Sequence, residues 1–374
     1  MALKQTQRLA LEARLKALLA KLEEKKIKAI FITSPENRRY YSGFTSPDHS
    51  MVESSGTLLV TPQKQYLITD SRFTLAAAQE APYFEVIDGV LERGQSWVKK
   101  VDLEKGSQAV FEPGYLNYAR FMSLAKILRN EFKISFKPSP FDPGELRARK
   151  SPSELKLIAV ALTITEKALA NLWSEIELGT TEKEAADYLD RDFKQLGADG
   201  PGFETIVAAG ARAALPHARP GSKRFERGDM VIIDCGARYQ GYNADITRTY
   251  CLEPLKDWQK EIYGVVREAQ NLAIKEIAPG RLASQIDAVA RNYIAAAGYG
   301  KYFGHSLGHG VGLDVHEEPR ISENSRACLE EGQAVTIEPG IYLPNRGGVR
   351  LEQLVVVTQN GYKILNKDNH FYYF

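Results

Sequence analysis

The chain has 374 residues, of which 44% are hydrophobic and 26% charged, a composition that excludes wholesale disorder and suits about two domains. Its 49 basic and 47 acidic side chains leave a net charge of +2, which offers no electrostatic ground for a nucleic-acid or anionic-membrane partner. No apolar run of about 18 residues spans a membrane, no signal core opens the chain, and three widely spaced cysteines, Cys235, Cys251 and Cys328, fit a reducing, cytoplasmic compartment.

The first 28 residues carry eight Lys or Arg against three Glu, interleaved with Leu11, Leu15, Leu18 and Leu22. That spacing predicts an amphipathic surface helix with a basic outer face. An apolar run, Ile27–Thr33, follows and ends at Ser34-Pro35-Glu36-Asn37. Gly56–Thr61 and Gln65–Thr69 are β-rich around the turn Pro62-Gln63-Lys64, and Phe73–Glu80 and Leu116–Asn130 read as helices. Strands alternating with helices predict an α/β domain.

Four prolines (Pro138, Pro140, Pro143 and Pro152) and the basic cluster Arg147, Arg149, Lys150 mark a boundary, dividing the chain at 1–145 and 146–374. Ser151 is a predicted N-cap, with Pro152 at the first helical position and Glu154 completing a capping box for a helix through Glu175. Further helices are expected at Thr181–Leu196, Asp257–Ile277 and Leu282–Ala297. Strands are expected at Met230–Asp234, Asn243–Tyr250, Ala334–Glu338 and Arg350–Thr358, so the second domain reads as α+β with a largely antiparallel sheet.

Two carboxylate pairs stand out. Asp234 ends one apolar strand and Asp245 lies eleven residues on, with Gly236 and Tyr239-Gln240-Gly241 between them. Glu338 ends another, and Glu352 lies fourteen residues on, across Pro344-Asn345-Arg346-Gly347-Gly348. Hairpins at those turns would bring each pair together. Four converging carboxylates repel one another unless cations sit between them. A lone carboxylate would read as a salt-bridge partner; the doubled pattern points to metal. Four of the six histidines, His217, His305, His309 and His316, lie in the same half. Three of these fall within twelve glycine-rich residues, where backbone can approach a ligand closely.

These residues carry a family resemblance. Leu215-Pro216-His217, Asp234-Cys235-Gly236-Ala237 with Asn243-Ala244-Asp245-Ile246-Thr247-Arg248-Thr249, Gly308-His309-Gly310 through His316-Glu317, Ile337-Glu338-Pro339-Gly340 and Val349-Arg350-Leu351-Glu352 resemble the proline-specific branch of the pita-bread metallopeptidases, prolidases and Xaa-Pro aminopeptidases. The opening domain, with Tyr41-Ser42-Gly43-Phe44-Thr45 and Thr69-Asp70-Ser71-Arg72, resembles the family's creatinase-type N-terminal domain. The implied fold is an α+β catalytic domain of pita-bread (creatinase/aminopeptidase) type with a smaller α/β creatinase-like N-terminal domain. The implied ligands of two divalent ions are Asp234, Asp245, His309, Glu338 and Glu352. Four oxygen donors and one imidazole suit Mn²⁺, with Co²⁺ or Zn²⁺ as alternatives. Gln353 and Ala244 depart from the family pattern, where Asp and Ser are common; neither is a ligand.

The implied reaction is hydrolysis of the Xaa-Pro bond in short proline-containing peptides by a hydroxide shared between the metals. Glu338 is the expected proton acceptor, and His217 and His316 are expected to bind substrate and stabilise the tetrahedral intermediate. His305 shapes the pocket, Arg350 orients a ligand, and Arg320 is a candidate for holding a substrate carboxylate. Dipeptidase and aminopeptidase remain open alternatives, as does a peptide-binding pseudo-peptidase. Creatinase lacks these ligands and methionine aminopeptidase usually lacks the first domain. The resemblance further implies a homodimer, with Tyr41–Met51, including Pro47, Asp48 and His49, reaching the partner's site.

Overall fold

The structure is a computed structural model that describes residues 5–48, 50, 53–93 and 96–374. The chain folds as two compact units, Met1–Arg147 and Ala148–Phe374, two residues beyond the expected boundary. Parts of the expected Tyr41–Met51 loop, His49 and Met51, lie outside the described residues.

The first unit opens with α1 (Gln5–Glu24), whose buried residues are the four leucines of the predicted stripe. Then come β1 (Ala29–Ile32), α2 (Pro35–Ser42), β2 (Thr57–Val60), β3 (Gln65–Thr69), α3 (Thr74–Glu80), β4 (Glu85–Asp88), β5 (Gln108–Phe111), α4 (Tyr118–Phe132) and β6 (Ser135–Pro138). The strands form one mixed sheet in the order β4-β3-β2-β1-β5-β6. Helix α2 escaped the sequence reading, which took Ser34-Pro35-Glu36-Asn37 only as the end of a strand. Ser34 is an N-cap whose hydroxyl accepts from the Asn37 amide, Pro35 opens the helix, and Gly43 closes it at φ 86°. Asp48 is drawn inward, accepting from Arg38, which is fully buried, and from the Ser55 amide.

The second unit begins with α5 (Pro152–Glu175), capped by Ser151 and Glu154 in the predicted box, and α6 (Glu182–Gln195). After β7 (Gly200–Pro201), β8 (Ile206–Ala209), β9 (Met230–Cys235), β10 (Ala237–Tyr239), β11 (Tyr242–Asn243) and β12 (Ile246–Cys251) come α7 (Asp257–Lys275) and α8 (Ala283–Ala296). The chain ends with β13 (Gly308–Gly310), β14 (Glu317–Ile321), β15 (Ala334–Ile337), β16 (Gly340–Leu343), β17 (Gly347–Arg350), β18 (Gln353–Thr358) and β19 (Gly361–Ile364). Every strand pairing in this unit is antiparallel.

One apolar core packs α5 and α6 on β8, β9 and β12; a second packs α7 and α8 on β15 to β18. Both expected long strands are broken. Asn243–Tyr250 divides into β11 and β12, leaving Ala244-Asp245 between them, and Arg350–Thr358 divides into β17 and β18, leaving Leu351-Glu352 between them. Both hairpins have a similar build: an inner strand pair at the turn, which β7 extends to three strands in the first hairpin only, then a break, and an outer pair in a larger sheet. β10 pairs β11 inside β9–β12, and β16 pairs β17 inside β15–β18.

Candidate metal centre

The breaks are where the chemistry collects. Asp234 belongs to β9, while Asp245, Glu338 and Glu352 each stand immediately outside a strand end. A carboxylate placed where the ladder stops is released from the pleat and can turn toward a common point. In the first hairpin Asp234 pairs with Thr247, two residues after Asp245, so Asp234 and Asp245 share a sheet face. In the second, Ile337 pairs with Gln353, so one more step sets Glu338 against Glu352.

His309 arrives on β13, packed beside β15. The glycines flanking it serve a purpose other than the ligand approach expected. A Cβ on Gly308 would lie 1.9 Å from the Thr336 carbonyl oxygen and one on Gly310 would lie 2.3 Å from that of Glu318. The glycines therefore let β13 lie against its neighbours, and the imidazole between them is carried to the carboxylates. Gly236 does the same in the first hairpin, where a Cβ would meet the Ala244 carbonyl oxygen at 1.9 Å.

Three overlapping groups result, each with ligand atoms within 4.8 Å of one another: Asp234, Asp245 and Glu352; His309, Glu338 and Glu352; Asp245, His309 and His316. All five expected ligands are present. His309 Nε2 lies 3.2 Å from Glu338 Oε1 and 3.6 Å from Asp245 Oδ2. Its Nδ1 faces the Gly310 carbonyl at 3.1 Å; a carbonyl only accepts, so the hydrogen sits on Nδ1 and Nε2 is the nitrogen aimed into the centre.

The electrostatics fit a cation. Asp234 Oδ1 and Glu352 Oε1 are buried without a hydrogen-bond partner. Burial, reinforced by Glu352 and Asp234, pushes the Asp245 carboxyl well above its ordinary range. Burial and then Glu338 raise Glu352 to about 8. Burial opposes charge on His309 and Glu338 as well, but their mutual hydrogen bond overrides it, raising His309 to about 9 and lowering Glu338 to about 2. The shifts on Asp245, Glu352 and His309 favour their protonated forms where a cation would otherwise balance the carboxylates, and hard oxygen donors with one imidazole are a suitable set for divalent ions.

Around this centre runs a chain of fixed donors. Arg350 is fully buried, and its guanidinium donates to Asp234 Oδ2 at 2.5 Å, Thr247 Oγ1 at 3.0 Å, the Pro216 carbonyl at 3.0 Å and the Tyr342 hydroxyl at 3.0 Å. A guanidinium only donates, so Tyr342 accepts there and turns its hydrogen to His305 Nε2 at 2.9 Å, while His305 Nδ1 donates to the Ser306 carbonyl at 2.8 Å. Burial holds His305 below its usual range, in keeping with a neutral ring that accepts from tyrosine. Four of its five N–H groups go to protein acceptors, and the Nη2 bond orients Asp234, so Arg350 acts on a carboxylate of the centre. His305 likewise meets Tyr342.

The remaining expected residues are more open. His316 is exposed, with its ring 4.3 Å from that of His309 and its ordinary pKa lowered by burial and then by His309. His217 is exposed on the loop before β9. Arg320 lies on β14, exposed, its Nε donating to Ser306 Oγ at 3.0 Å beside His305. Sequence reasoning missed the supports Thr247, Tyr342 and Gln270. Thr247 Oγ1 donates to Glu352 Oε2 at 2.9 Å. A sign of Gln270 was readable: Ile262, Val266, Gln270 and Ile274 share one face of α7, so a polar residue interrupts an apolar stripe.

The comparisons with known proteins agree with this geometry. Metallopeptidase family M24 matches residues 156–359, and the Creatinase/Prolidase N-terminal domain matches residues 14–141. The chain belongs to metallopeptidase family M24. It is 38% identical over 361 residues to an Xaa-Pro dipeptidase of Pyrococcus furiosus, covering 96% of this chain and 98% of that one. Among solved structures it resembles an Xaa-Pro dipeptidase from Bacillus anthracis, with a TM-score of 0.87 at 35% identity, covering 96% and 98% of the two chains. It also resembles an X-Pro aminopeptidase from Thermotoga maritima, with a TM-score of 0.85 at 35% identity and the same coverage. This metallopeptidase is a hydrolase of pita-bread fold with a creatinase-type first domain. Among the described residues no helix is long and apolar enough to cross a membrane.

Proposed function

We propose that this chain hydrolyses the Xaa-Pro bond of short peptides at a dinuclear centre held by Asp234, Asp245, His309, Glu338 and Glu352. The observation that carries the reading is the convergence of these five residues in overlapping groups of three, two of the carboxylates holding buried oxygens with no hydrogen-bond partner among the described residues. Mn²⁺ is the preferred ion on donor hardness, with Co²⁺ or Zn²⁺ as alternatives. Bound divalent ions supply Lewis acidity, lowering the pKa of a water and polarising the scissile carbonyl.

The chain's own residues do the rest. Glu338 accepts the proton of the attacking water and passes it to the proline nitrogen as the bond breaks. His316 and His217, at the open side, hydrogen-bond the substrate and the developing oxyanion. Arg350 and Thr247 hold Asp234 and Glu352 in place, so that no reorganisation is needed during the reaction. Chelation is expected to abolish activity and Mn²⁺ to restore it; full activity in demonstrably metal-free protein would sink the reading.

We favour dipeptides as the substrate class. Support comes from the Xaa-Pro dipeptidase relatives, together with Arg320, an exposed cation beside His305 suited to a free carboxylate. Comparing kcat/KM on an Xaa-Pro dipeptide and the tripeptide extended past proline tests this; faster turnover of the tripeptide would favour the aminopeptidase reading. A homodimer and a cytoplasmic location complete the proposal, the latter supported by three free cysteines. Light scattering on the purified chain tests the first.

A further inference from the structure

Gln270 is fully buried on α7, and one side-chain nitrogen reaches both hairpin ends. Its Nε2 donates to the Ile337 carbonyl at 3.0 Å and to the Leu351 carbonyl at 2.7 Å. Those carbonyls belong to the residues immediately before Glu338 and Glu352. The amide cannot flip. Its Oε1 accepts from Arg267 Nη1 at 2.6 Å, and a guanidinium has only hydrogens to offer.

Arg267 is itself held from outside the sheets. Its guanidinium carbon lies 3.6 Å over the ring of Phe371, in the C-terminal segment. The same ring takes Arg248, at 4.7 Å, on which Asp368 closes an ion pair of 2.6 Å. Arg248 in turn donates to the Glu352 carbonyl at 2.6 Å. One aromatic ring therefore carries two cations, and both lead to the backbone bearing the two glutamates. Cation–aromatic contacts strengthen when desolvated, and Arg248 is fully buried.

We infer that Gln270, Arg267 and Arg248, gripped by Asp368 and Phe371 of the C-terminal segment, are positioning residues that set Glu338 and Glu352 for metal binding. None of them touches substrate; they act through the backbone. The inference rests on reading the two glutamates as metal ligands. Strand pairing on the outer side stops at Ile337–Gln353; beyond it the Glu338 and Glu352 amides donate to the Leu307 and Thr247 carbonyls at 2.8 and 3.1 Å, and the clamp adds a hold on the carbonyl side of the same backbone.

The test is titration of the metal-free, full-length chain with Mn²⁺ by calorimetry, with denaturant unfolding of the same metal-free samples. Gln270→Met keeps the volume and removes both polar ends; its Mn²⁺ affinity is expected to fall by about 10- to 100-fold. Phe371→Leu and Asp368→Asn, on the outer segment, are expected to weaken Mn²⁺ by about 10-fold, and they decide the matter if Gln270→Met fails to fold. Arg267→Lys, which can donate to Gln270 but cannot lie flat on Phe371, is expected to restore part of what Arg267→Met loses. Variants that lose folding stability yet bind Mn²⁺ within twofold of the unaltered chain would overturn the inference, leaving only packing. An unaltered chain that binds no Mn²⁺ would instead overturn the metal-centre reading on which it rests.

Discussion

The two hairpins of the second unit carry the same cargo by different means. In the first, Asp234 is secured at its side chain, by the guanidinium of Arg350. In the second, Thr247 holds the Glu352 side chain and the backbone is secured as well, Gln270 and Arg248 binding the carbonyls of Ile337, Leu351 and Glu352. The difference follows from where the carboxylates stand. Asp234 lies within a strand whose backbone is fixed on both sides by β8 and β12, so only its side chain needs aiming. Glu338 and Glu352 lie in breaks of the hairpin ladder, where their amides donate instead to the Leu307 and Thr247 carbonyls.

The largest expected effect treats the hairpins alike. Asp245→Asn in the first and Glu352→Gln in the second should each lower kcat/KM on the order of 10³-fold, since several kcal/mol of charge stabilisation is lost. The metal-free variants should nevertheless unfold at higher denaturant than the metal-free parent at neutral pH. Both carboxyls have pKa values raised by burial and repulsion, so the charged forms oppose folding as pH rises and an amide removes that opposition. A variant that is both inactive and less stable when metal-free would show that the carboxylate served packing as well.

Arg350→Met separates the two modes of support. It leaves the partly buried Asp234 without its cation and four acceptors without their donor, at a cost of about 2–4 kcal/mol by urea unfolding, and Arg350→Lys should not rescue it because four acceptors need the planar fork. If lysine does restore stability, charge rather than the fork holds the first hairpin. Next come the close approaches. Gly236→Ala and Gly308→Ala each drive a Cβ into a carbonyl oxygen and should cost about 1–3 kcal/mol. A much smaller loss at Gly308 would mean that β13 can shift away from β15, and His309 with it.

The smallest effect lies at the turns. Gln240 sits at φ 47° before Gly241 in the first turn and Asn345 at φ 60° in the second. Asparagine tolerates that left-handed backbone better than glutamine, so Gln240→Asn should stabilise and Asn345→Gln destabilise, each by about 0.5–1 kcal/mol. Equal responses of both turns to substitution, read by unfolding midpoint, would remove this distinction between the hairpins.

Much of this was legible beforehand. Apolar spacing identified the helix of Leu11, Leu15, Leu18 and Leu22, and the Ser151–Glu154 box located the start of α5, because caps and stripes are local. The carboxylate pairs were legible because a charge at the end of an apolar strand is anomalous, and because turn residues sit midway between the partners. The breaks in the strands were not. Asn243–Tyr250 and Arg350–Thr358 each read as one β-rich run, since what interrupts them is the packing of one hairpin on the other, as in the Glu352 amide donating to the Thr247 carbonyl at 3.1 Å.

By itself the sequence marked the two carboxylate pairs and the histidine-rich glycine run, the order in which they come along the chain, and the two turns that allow the carboxylates to meet. Those properties depend on residue type and short spacing. Only the tertiary structure decided that the carboxylate Arg350 orients is Asp234, that the glycines around His309 serve strand packing, and that Phe371 bears on Arg248 and so on the Glu352 backbone. Such contacts join residues separated by tens to a hundred positions, and no local pattern encodes which donor will face which acceptor once the two cores have closed.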